Sequence, residues 1–74
     1  MNDKLSSLSL EAKKCLDTIM EKASGVSDGW IPCVTFTDMK KDDITKGCHE
    51  LEQQGFIKII CFQGQDKIEC YVLF

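Results

Sequence analysis

Five cysteines and one histidine could do covalent or metal chemistry in this 74-residue chain: Cys15, Cys33, Cys48, Cys61, Cys70 and His49. A structural zinc site takes four such ligands, usually in close-spaced pairs. No Cys-x-x-Cys and no His-x-x-x-His occurs, so no metal is expected. A Cys–His nucleophile would have to use His49. Its neighbour Cys48 points about 100° away around a helix, toward the apolar side, where a thiol makes a poor thiolate. The glycines of QGQD and SDGW lack the spacing and the lysine of a phosphate loop. No catalytic residue, cofactor or small-molecule substrate is expected. The chain reads as a binding module and not as an enzyme.

An odd number of cysteines without a close pair does not fit a disulfide framework, and the opening residues lack the pattern of a secretory leader. Reduced thiols packed as small apolar groups in a cytoplasmic protein are therefore expected. The apolar runs are too short to span a bilayer, so a membrane is not an expected partner. The net charge of −3 and a basic set made only of lysines both run against strong nucleic-acid binding. Arginine is the usual bidentate reader of guanine and clamp for phosphate. A hydrophobic fraction of 43% nevertheless suits a folded domain.

These side chains must be placed by a small set of elements. Residues 1–7 are polar and expected to form a flexible arm, with one domain over 8–74. Leu8, Ala12, Cys15, Leu16, Ile19, Met20 and Ala23 recur at helical spacing, with Ser7 or Ser9 as cap and Ser24-Gly25 as terminator. Ile31–Val34 reads as a short edge strand because Pro32 cannot donate to a ladder. Trp30, beside that proline, is expected to pack within the domain. Thr35, Phe36, Asp38 and Met39 have the pattern of a short second helix. Asp42 or Asp43 should cap a third, with Ile44, Cys48 and Leu51 facing inward and Gly55 ending it.

Beyond Gly55 the period changes from 3.6 to 2, as in a β-hairpin. A two-residue Gly64-Gln65 turn would set Cys61 opposite Ile68 and Ile59 opposite Cys70. Ile57, Ile59 and Cys61 would then share one face, and Lys58, Ile60 and Phe62 the other.

The order helix, strand, short helix, helix and hairpin resembles the winged helix-turn-helix superfamily, in the small form of bacterial and prophage proteins. The step from Leu51 through Gly55 and Phe56 to Ile57 carries the likeness, which covers residues 8 to 74. It implies an α+β winged helix of three helices, a C-terminal antiparallel hairpin and a short third edge strand. It further implies a transcription-regulatory protein that binds duplex DNA, weakly as a monomer. Thr45, Lys46, His49, Glu50 and Gln53 on the third helix would make the contacts, with Gln63, Gln65 and Lys67 on the wing. The alternative is an acidic protein-interaction module that does not bind DNA. It rests on a hairpin apolar on both faces: Ile60, Phe62, Tyr71 and Leu73 would point outward as an interface for a homodimer or another protein.

Overall fold

The computed structural model describes residues 7–26 and 28–73; the expected arm lies, apart from Ser7, outside them. Helix α1 spans Leu10–Ala23, where the Ser9 hydroxyl caps it by accepting from the Ala12 amide at 3.3 Å. Ala12, Cys15, Leu16 and Ile19 are buried along one side, as their spacing requires. Met20 falls off that stripe and is 49% exposed. Strand β1 follows at Trp30–Thr35.

The expected short second helix is absent. Residues 36–40 carry no helix, and the described chain has two helices where three were expected. The reason lies in the Phe36 amide, which donates to the Asp66 carbonyl at 2.8 Å and so prolongs the sheet ladder by one rung. Phe36 is buried from this extended backbone, and Met39 packs against the core behind it. The α+β class holds, but the helix-turn-helix pair is missing. Helix α2 then spans Lys41–Gln53 after Lys40, with no side-chain cap. Asp42 and Asp43 sit inside the first turn instead of before it, where their charge still favours the positive end of the helix dipole.

Gly55, at φ 84°, ends α2 as its position suggested. The Gly55 amide donates to Glu52 O at 3.1 Å and the Phe56 amide to Leu51 O at 2.9 Å. These are the paired bonds of a helix closed by a left-handed residue. They turn the chain directly into strand β2, Ile57–Phe62, which pairs with β3, Lys67–Val72. The sheet is antiparallel in the order β1-β3-β2.

The hairpin register departs from the expected one. The Gln63 amide donates to Lys67 O at 2.9 Å, so the loop is Gly64-Gln65-Asp66, with three residues instead of two. Cys61 consequently faces Glu69, and Phe62 faces Ile68. A bulge at Ile60 absorbs the extra residue, and Ile59 still pairs with Cys70 and Ile57 with Val72. Phe62 thus turns to the helix side of the sheet with Ile57 and Ile59, where it remains 38% exposed, and Cys61 moves to the outer one. A second bulge interrupts β1 between Ile31 and Val34, so Glu69 on the central strand has a bulge on either side.

Both helices cover the inner face. Ile31, Val34, Ile57, Ile68 and Cys70 are buried against Ile19, Ile44, Cys48 and Leu51. The molecule measures 31 × 29 × 18 Å, and the short axis accommodates one sheet and one helix layer. On the edge of β2 the Ile59 amide, turned away from β3, donates to Glu52 Oε2 at 2.9 Å.

The two helices meet at Gly47, which is buried. A methyl group there would lie 2.7 Å from Cys15 Sγ and 2.9 Å from the Glu11 carbonyl oxygen. The second of these is helix backbone and cannot rotate aside. Gly47→Ala is therefore expected to lower stability by about 1–3 kcal/mol through overpacking, against about 1 kcal/mol gained in helix propensity. Urea denaturation should show a lower midpoint, while Gly25→Ala, which would meet only Lys22 O at 4.0 Å, serves as the unstrained control. A midpoint for Gly47→Ala at or above wild type would refute the close approach.

Candidate functional site

The thiols are spread between core and surface. Cys15, Cys48 and Cys70 are buried in the core, Cys33 is half-buried and Cys61 exposed. Cys48 shares a hydrogen bond with Cys15 that holds its proton, and burial adds to the effect, so its pKa lies well above the ordinary thiol range. Burial pushes the Cys70 thiol up to about 11. Cys61 is also raised, first by partial loss of water and then by its bond to the Glu69 carboxylate. Among the described residues no group of three or more His, Cys, Asp and Glu side chains could hold a metal ion.

His49 does not meet a cysteine. Its ring lies on Phe62, with centroids 5.7 Å apart and planes tilted by 48°, a contact made possible by the inward turn of Phe62 after the bulge. Thr45, Lys46, His49 and Gln53 are all exposed on α2. The Thr45 hydroxyl donates to Lys41 O at 3.1 Å within the helix. Glu50, on the same helix, is engaged elsewhere. Its carboxylate accepts from the Ser9 amide at 2.8 Å and the Ser9 hydroxyl at 2.7 Å, holding the start of α1 against α2. At the hairpin tip Gln63 and Gln65 are exposed, and Lys67 Nζ pairs with Asp66 Oδ1 at 3.4 Å.

The outer face of the sheet gathers the remaining apolar side chains. Trp30 pairs with Tyr71, and Tyr71 with Lys58, so these three form one row across all three strands. The next row is centred on Glu69. That carboxylate accepts from the Trp30 indole N–H at 2.9 Å and from the Cys61 thiol at 3.5 Å, one from each flanking strand. Trp30, Ile60 and Tyr71 are each more than 40% exposed, and Leu73 is 58% exposed. Three of the four residues expected on this face, Ile60, Tyr71 and Leu73, lie there; Phe62 does not. Trp30 takes its place, contrary to the expectation that it packs inside. Its outward direction follows from strand alternation, since the adjacent Ile31 is buried.

No family model matches the chain, and neither the curated proteins nor the solved structures gave a match. Among the described residues no helix is long and apolar enough to cross a membrane.

The Glu50 clasp has a pH signature. The Ser9 hydroxyl, and after it the Ser9 amide, hold the Glu50 carboxyl below its ordinary value of 4.5. A depressed carboxyl stabilises the fold above its unfolded pKa and loses that contribution as the pH falls through the folded one. Urea midpoints of wild type and Glu50→Gln should therefore differ most near neutrality and converge on acidification below about pH 4. A difference that is constant from pH 7 to 2 would mean that the charge on Glu50 contributes nothing.

Proposed function

We propose that this chain is a non-catalytic interaction module that docks a protein partner through the open face of its three-stranded sheet. The observation that carries the reading is the exposed row of Trp30 and Tyr71 with Ile60 and Leu73 beside it. Sheets with one solvated face alternate apolar with polar, and here the solvated face holds two large aromatics and two aliphatics. Contiguous apolar surface of this kind marks contact sites on small proteins, and Trp and Tyr are the residue types enriched in binding hot spots. Lys58, Lys67 and Gln63 supply a polar rim.

The duplex-DNA alternative has weaker support. Thr45, Lys46, His49 and Gln53 do line one exposed side of α2. However, among the described residues no second helix lies between β1 and α2 to complete a helix-turn-helix pair, and the chain is acidic. A photo-reactive benzoyl-phenylalanine placed at Tyr71 should give defined protein adducts in cells, and the same group at Lys46 should not. Fluorescence anisotropy with a mixed duplex at low salt should show no binding at tens of micromolar, given that non-specific DNA binders reach this range at higher salt. Binding that weakens steeply with salt and is reduced by Lys46→Ala would overturn the reading in favour of DNA.

A further inference from the structure

We infer that the open sheet face takes a second copy of the same chain, forming a weak two-fold dimer by face-to-face packing of the sheets. The inference rests on the reading that this face is a docking surface, and names its occupant.

Among the described residues the face carries one cation without an ion pair, Lys58, and one anion, Glu69. Lys58 lies at the end of the Trp30–Tyr71 row and Glu69 at the centre of the next, while Lys67 is tied to Asp66. A strongly acidic or strongly basic partner would meet one like charge on this patch. A second copy meets neither, because a patch bearing both signs complements itself when rotated about a two-fold axis. With the axis between the two rows, the Trp30–Tyr71–Lys58 row of each copy lies over the Glu69 row of the other. Lys58 of one copy is then offset from Glu69 of the other by one strand spacing, about 4.8 Å, across the roughly 10 Å between packed sheets, a gap that the two side chains can span. The same arrangement lays the aromatic row of each copy on Ile60 and the bulges, so the four apolar side chains are covered together.

The area sets the strength. Three strands of six residues give a footprint of about 300 Å², well short of the roughly 800 Å² per partner of a standard interface. The dimer is therefore concentration-dependent, with a Kd on the order of tens to hundreds of micromolar. The flat 31 × 29 Å aspect of the molecule lets the two sheets meet without obstruction from the helices, which lie on the opposite side.

Sedimentation velocity from about 5 to 500 µM, the range that brackets such a Kd, tests the inference. Wild type should shift from monomer toward dimer across the range. Ile60→Lys, at an exposed bulge position where the fold does not need the side chain, should weaken association about tenfold or more, as should Tyr71→Lys. Lys58→Glu, which sets carboxylate against carboxylate across the interface while leaving the bonds of Glu69 to Trp30 and Cys61 intact, should weaken it as well. A wild type that stays monomeric at 500 µM overturns the inference, and so does a dimer unaffected by Ile60→Lys and Tyr71→Lys. If the dimer fails while the photo-adduct at position 71 runs at a mass other than twice the chain, the docking face stands with a different occupant. Absence of both dimer and adduct removes the docking reading itself.

Discussion

The close approach of the two helices at Gly47 is the constraint on which the remaining geometry depends. Cys15 Sγ and the Glu11 carbonyl occupy the space that any larger residue would need, so α1 settles directly onto α2. With that distance fixed, Glu50, one turn further along α2, reaches Ser9 at the start of α1. At the other end Cys15 comes to 3.9 Å from both Ile44 O and Met39 Sδ, which draws the extended segment after β1 against the helices. The thiols in this contact act through their size and weak polarity. Cysteine is slim enough to let two helix backbones approach, and its proton finds a partner within the seam.

Much of this architecture was legible in the sequence, for reasons that individual residues make plain. Ala12, Cys15, Leu16 and Ile19 are spaced for one helix face and nothing else. Gly55 stands where only a left-handed residue closes a helix, and Leu51 and Phe56 flank it as such a closure requires. The segment after β1 was not legible. Thr35 and Asp38 have the local pattern of a helix start, but the outcome was decided by Asp66, thirty residues along the chain, whose carbonyl takes the Phe36 amide. The phase of β2 was equally hidden. Ile57, Ile59, Ile60 and Phe62 are apolar whichever way they point, so alternation could not locate the bulge that sends Phe62 inward. Of the candidate surface, the contributions of Ile60, Tyr71 and Leu73 could be read from the hairpin pattern. Trp30 was missed, since tryptophan beside proline in a small domain suggests packing.

Glu69 shows why the outer face is organised and not merely uncovered. It sits on the central strand with a bulge opposite it on each side, and receives one hydrogen bond from β1 and one from β2. The indole N–H of a tryptophan lying on a sheet requires an acceptor, and this carboxylate provides it while orienting the ring beside Tyr71. The bulges increase local twist, and the carboxylate ties the two edges together across that twist. Ring position on this face is accordingly set by backbone register and one side chain.

The bond from Ile59 to Glu52 bears on how such molecules behave when crowded. An edge strand with free amides is a template onto which another chain can add, and repeated addition builds fibres. Here the outward Ile59 donor on one edge is already taken by a carboxylate from the helix above it. The opposite edge contains Pro32, which has no donor to offer, beside a bulge that breaks the straight run of β1. Growth strand by strand is thereby discouraged at both borders. A small apolar sheet of this kind, rich in isoleucine, limits edge-to-edge pairing through its own borders and not through strong net charge.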